Sequence, residues 1–137
     1  MRFEPLSHTA DKGIRAFGSD LKELFENAAY GMFSLMAELD RYQSSMSMEI
    51  SVESTDWDEL LRSWLDELLY RFEVDRVLFT EFDVAEVSEF RVVGTAKGLA
   101  FSSDIEWIGS AVKAVTHHDL SVYRGDNGWE ATVIFDV

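Results

Sequence analysis

Trp57-Asp58-Glu59-Leu60-Leu61-Arg62-Ser63-Trp64-Leu65-Asp66-Glu67-Leu68-Leu69-Tyr70-Arg71-Phe72 is the stretch on which the fold turns. Its apolar residues, Trp57, Leu60, Leu61, Trp64, Leu65, Leu68, Leu69 and Phe72, recur at intervals of three and four, which is one stripe of an amphipathic helix. Thr55 followed by Asp58 resembles a capping box with Asp in place of the usual Glu. Asp56, Asp58 and Glu59 fall in the first turn, where the helix dipole favours negative charge. A stripe this wide needs a surface to cover it. The segments that follow, 76–87 and 89–98, are rich in β-branched and aromatic residues and read as strands.

Working outward, 46–54 reads as a strand before this helix. A second amphipathic helix is expected over 20–37, with Leu21, Leu24, Phe25, Ala28, Ala29, Met32 and Leu35 at helical spacing and Ser19 as its N-cap. Strands are expected at 12–17, 111–124 and 128–136, with a short one at 2–7. Asn127-Gly128 suits the positive φ angles of a tight turn, so the last two strands should pair antiparallel. The order β, β, α, β, α and four more strands predicts an α+β fold. It is one domain over 1–137, a mixed β-sheet with both helices packed on one face.

The composition agrees. A length of 137 residues suits one domain, and 47% hydrophobic residues, with ten Phe and four Trp, supply a sizeable core and exclude disorder as the main state. No window approaches the roughly 20 uninterrupted apolar residues of a membrane helix. The start, Met1-Arg2-Phe3-Glu4-Pro5, lacks the apolar run of a secretory signal, which predicts a cytoplasmic protein. The absence of Cys removes disulfides, thiol nucleophiles and Cys-based zinc sites together. The net charge is −14, and residues 53–89 alone carry three basic and twelve acidic side chains. Nucleic-acid binding needs concentrated positive charge to neutralise phosphates, so tight direct RNA or DNA binding is not expected. A cation or a basic protein surface suits this field better.

Neither G-x-x-x-x-G-K-[ST], G-x-G-x-x-G nor G-x-S-x-G occurs. Three clusters stand out instead. In His8-Thr9-Ala10-Asp11-Lys12-Gly13, Thr9 and Asp11 can bond nearby amides in a plain turn, or Asp11 can ligate a hard cation with His8 orienting it. The closing Val133-Ile134-Phe135-Asp136-Val137 runs as strand to its last residue. Its carboxylates lie either in solvent at a sheet edge or on a divalent cation that offsets the cost of burying them. In Val112-Lys113-Ala114-Val115-Thr116-His117-His118-Asp119-Leu120, alternation puts Val112, Ala114, Thr116, His118 and Leu120 on one face and Lys113, Val115, His117 and Asp119 on the other. His118 is then a hydrogen-bonded histidine at the core margin, and Lys113 a solvated cation.

These clusters, together with Glu23-Leu24-Phe25-Glu26-Asn27-Ala28-Ala29 and Trp64-Leu65-x-Glu67-Leu68-Leu69-Tyr70, resemble the archease family in order from residue 8 to 137. Lys12 stands where the family usually has an apolar residue, and His117 where Tyr is common. The resemblance implies a non-enzymatic protein cofactor of the RtcB-type tRNA-splicing RNA ligase, which promotes guanylylation of the ligase and multiple turnover. It implies a divalent-cation site, calcium with magnesium as the alternative, on Asp11, Asp136 and Val137. It also implies a part in ligase activation for Lys113 and His8. The rival functions are a chaperone-like modulator of another RNA-modifying enzyme and a metal-dependent hydrolase using Asp11, Asp136 and a His.

Overall fold

The computed structural model describes residues 1–7 and 11–137. The elements are β1 (Phe3–Ser7), β2 (Lys12–Gly18), α1 (Leu21–Ser34), β3 (Met46–Glu53), α2 (Trp57–Val74), β4 (Val77–Ser88), β5 (Arg91–Ala100), β6 (Ala114–Val115), β7 (Ser121–Gly125) and β8 (Gly128–Asp136), with a 3-10 turn at Leu39–Arg41.

The stripe of α2 is buried along its length: Leu60, Leu61, Trp64, Leu65, Leu68, Leu69 and Phe72 all face the interior. Its cap sits one residue later than the Thr55/Asp58 pairing suggests. Asp56 is the N-cap, and its Oδ1 accepts from the Glu59 amide at 2.9 Å. Asp58 is thereby released to accept from the Val122 amide at 2.8 Å, tying β7 to the helix. The same one-residue offset appears at α1. There Asp20, not Ser19, accepts from the Glu23 amide at 2.8 Å, while the Glu23 side chain accepts from the Ser19 amide at 3.0 Å. Helix α1 ends at Ser34 rather than 37. The Ser34 hydroxyl bonds back to the Tyr30 carbonyl at 2.6 Å, and Leu35 and Met36 close shorter turns onto Met32 and Phe33.

The α+β class holds, and the strands form two sheets in which every pair is antiparallel. Strands β3 and β4, which flank α2, run in the same direction, as a β-α-β unit should. Strand β5 inserts between them, antiparallel to both, and removes the parallel contact that a mixed sheet would need. In the other sheet β8 is central, with β2 on one edge and β7 and β6 on the other. Each helix touches strands of both sheets, rather than one face of a single sheet. One core cluster runs from Ile14, Ala16, Val133 and Phe135 of the β8 sheet through both helices to Ile50, Phe79, Val92 and Ala96 of the β3–β5–β4 sheet.

The expected strand 111–124 is broken. Only Ala114–Val115 and Ser121–Gly125 pair, because Asp119 adopts φ 52° and the chain turns, with the Leu120 amide on the His117 carbonyl at 3.3 Å. Burial then follows Val112 and Val115, three residues apart, not alternate positions. His118 is exposed in the turn, not at the core margin. The final hairpin pairs as expected. Its turn residues are Asp126 and Asn127, however, and the positive φ, at 132°, falls on Gly128, the first residue of β8, where a Cβ would meet the Gly18 carbonyl oxygen at 2.6 Å.

Candidate functional site

The pairing of β2 with β8 runs from Gly18↔Trp129 to Lys12↔Phe135. One residue past that last pair stand Asp11 on one chain segment and Asp136 on the other, so the register brings the two acidic positions to the same sheet end. On the opposite edge of β8, Ala114 pairs with Asp136, and the Lys113 amide donates to the Asp136 carbonyl at 2.8 Å. Thr116 grips Ile134 twice, through its amide at 3.0 Å and its hydroxyl at 2.9 Å, both to the Ile134 carbonyl. Asp136 therefore lies between the approach to β2 and the Lys113–Ala114 segment. Asp11 and Val137 are half-buried, and Asp136 and Lys113 are exposed. His8 lies outside the described residues.

The donor chemistry fits a hard cation. Asp11 and Asp136 carry carboxylates and Val137 adds main-chain oxygen, the donor type that Ca²⁺ and Mg²⁺ prefer. Among the described residues no three His, Asp or Glu side chains gather closely enough to make a metal cluster by themselves. Two aspartates and a backbone position are a smaller set than that.

The segment carrying Lys113 is anchored from behind. The Ile108 amide donates to the Met36 carbonyl at 2.8 Å, and the Val112 amide meets the Met36 sulfur at 3.4 Å. Gly109, at φ 61°, faces the Lys12 ammonium with no room for a Cβ between them. From the side, the Arg62 Nε donates to the Val115 carbonyl at 3.2 Å, and Glu59 Oε1 lies 2.8 Å from His117 Nε2. Arg62 and Glu59 escape a reading of local pattern, since on α2 they look like ordinary solvated charges. Just upstream of Lys113, Trp107 and Ile108 are 45% and 44% exposed, and the Trp107 ring stands edge-on to Phe101 with centroids 5.0 Å apart.

The archease protein family matches residues 3–137. The chain belongs to the archease family. A Protein archease from Methanosarcina acetivorans is 36% identical over 140 residues, covering 99% of this chain and 96% of the relative. A solution structure of a Methanobacterium thermoautotrophicum protein superposes with TM-score 0.87 at 35% identity, covering 99% of both chains. A crystal structure of an archease from Thermotoga maritima, described as a possible chaperone, has the same fold with TM-score 0.68 at 16% identity, covering 98% of this chain and 96% of that one. The resemblance read from the five motif blocks is thus borne out at family level, and this archease has the α+β fold of its relatives. No helix is long and apolar enough to cross a membrane among the described residues.

Proposed function

We propose that this archease is a non-enzymatic activator of an RtcB-type tRNA-splicing RNA ligase, promoting its guanylylation and multiple turnover. Family membership supports the reading at its coarse level. The observation that supports it further is the position of Asp136, whose carbonyl accepts the Lys113 amide on one side and which stands, like Asp11, one residue past the last β2–β8 pair, Lys12↔Phe135. Asp11, Asp136 and Val137 would hold calcium, or magnesium, at this sheet end. A bound cation would supply positive charge that ties the approach to β2 to the end of β8. Lys113, exposed on the next segment, would then be presented at a fixed place to a partner. The exposed Trp107 and Ile108 give the same segment an apolar contact surface, and burial of such side chains is what anchors protein interfaces. A net charge of −14 is compatible with a partner whose docking face is basic.

The test mixes the purified protein with the ligase, GTP and calcium and follows ligase guanylylation over time. Faster guanylylation than the ligase shows alone is the expected result. An unchanged rate, with the protein instead restoring activity to a different RNA-modifying enzyme, favours the chaperone-like reading. Turnover of generic phosphoesters by the protein and metal without any ligase favours the hydrolase.

A further inference from the structure

The outermost strand of a sheet leaves backbone groups open to pairing, and natural sheets blunt such edges with short strands, Pro, bulges or covering groups. Most edges of this fold are blunted in one of these ways. Strand β1 is five residues long and contains Pro5, and β6 is two residues. The Val122 amide of β7 is taken by Asp58 at 2.8 Å. Strand β4 breaks register twice along β5, and its Val84 amide is taken by Glu26 at 2.8 Å. Strand β3 differs. Its eight residues, Met46–Glu53, run in unbroken register along β5, and among the described residues no strand lies on its other side.

The backbone of that edge can be placed group by group. Ser54 and Phe90 stand one step past the Glu53↔Arg91 pair, and the Ser54 amide donates to the Phe90 carbonyl at 2.9 Å. In an antiparallel ladder such bonded pairs alternate with non-bonded ones. Val52, Ile50 and Met48 therefore bond inward to β5, and the amides and carbonyls of Glu53, Ser51, Glu49 and Ser47 point to the free side. The side chains of those four are exposed. On the inner face Ile50 is buried, but Met48 and Val52 are only half-buried against the core and Met46 is 42% exposed, which leaves an unfinished apolar rim.

We propose that the β3 edge takes an extended segment of another protein as a fourth, antiparallel strand, with basic side chains at two positions four residues apart and apolar side chains between. The inference is independent of the ligase reading. Main-chain hydrogen bonds to the four open residues supply attachment, and the alternate side chains supply the choice of partner. Residues opposite Glu49 and Glu53 would meet carboxylates, and opposite charges facing one another across strands are favourable. Neither glutamate is ion-paired among the described residues, although Arg91 stands across from Glu53 on β5. The residues between the basic ones would fall beside Met48, Ile50 and Val52 and cover the rim. A second copy fits less well, because it brings another net charge of −14 to an acidic edge.

The experiment follows backbone amide hydrogen exchange of the full chain by NMR, with and without the peptide acetyl-Lys-Val-Thr-Val-Lys-Val-Thr-amide, whose two lysines fall opposite Glu53 and Glu49. Expected is at least tenfold slower exchange at Ser47, Glu49, Ser51 and Glu53, with little change at Met48, Ile50 and Val52, which are already bonded. An N-methyl group on the first Thr of the peptide, whose amide faces β3, should abolish binding. One on the Val that follows it, whose amide faces away, should not. Ser51→Pro removes an amide that faces solvent in the free chain, so it should melt near wild type yet bind the peptide at least tenfold more weakly. If Ser51→Pro fails to fold, the two N-methyl peptides decide with wild type. Equal binding of those two overturns the proposal, as does binding that leaves the four amides unprotected, which would mean diffuse attraction to an acidic surface. Equal binding of a peptide with Glu in place of both Lys also overturns it. Protection of the same amides that grows with protein concentration alone overturns it too, and assigns the edge to a second copy.

Discussion

Lys113 separates folding from function within one residue. Its side chain is exposed while its backbone amide holds Asp136, so Lys113→Ala removes the charge and keeps the strand contact. Loss of such a surface side chain should shift stability by less than about 0.5 kcal/mol. If Lys113 reaches into the ligase as proposed, stimulation of guanylylation should fall sharply, because a charged partner left unpaired in a desolvated interface costs on the order of 2–5 kcal/mol. Parallel melts and guanylylation time courses check both halves, and a variant that stimulates like wild type would remove Lys113 from the site. Glu26 makes the complementary case for pH. Its carboxyl is raised above 4.5, first by burial and then by Asp83, Asp20 and Glu23, against the lowering effect of the Val84 amide. A raised acid binds its proton more tightly in the folded state, so its contribution is fully present below pH 4.5 and is lost as pH rises through the raised value. The melting temperature of Glu26→Gln relative to wild type should therefore be higher at pH 7 than at pH 4. A difference that stays constant between those pH values would contradict the assignment.

At the scale of elements, both helix starts show how a local signal identifies an end without fixing its residue. Ser19 and Thr55 are good caps by type, yet Asp20 and Asp56 follow them and reach the N3 amides. A carboxylate there gains from the helix dipole as well as from the hydrogen bond. Asp56→Ala should cost about 1 kcal/mol, and Thr55→Ala a few tenths, in urea unfolding followed by helical circular dichroism. Equal losses in the two variants would restore Thr55 as the cap. Trp64 marks where α2 meets α1: it is fully buried, and its Nε1 donates to the Phe25 carbonyl at 3.1 Å. Trp64→Ala should cost about 3–5 kcal/mol, since it opens a large cavity at the junction of the two helices.

For the whole molecule, the proposed cation site would join distant parts of the chain, and a ligand that binds only the folded state stabilises it by mass action. Calcium at about a hundred times its dissociation constant should add roughly 2.7 kcal/mol, visible as a higher melting temperature. Asp11→Ala and Asp136→Ala should each weaken calcium binding in calorimetric titration and diminish that gain. Unchanged affinity in both would reject the site. Two stripes, seven runs of β-branched and aromatic residues and one turn signal made the α+β class legible in the amino-acid order, because period and propensity are local properties. The motif blocks at Asp11, Lys113 and Asp136 likewise led to the family from sequence. Which strands pair is a different kind of question. Placing β5 between β3 and β4, and β8 between β2 and β7, depends on how each sheet covers α1 and α2. The break at Asp119 is another such outcome, since the run 111–124 reads as one strand while the folded chain buries both Val112 and Val115, three residues apart, and turns at Asp119. The open edge of β3 left no mark in the sequence either, since 46–54 reads as a strand whether it lies inside a sheet or at its rim. It is a rim because β5 takes the middle of the β3–β5–β4 order, an outcome that the residues of β3 do not specify alone.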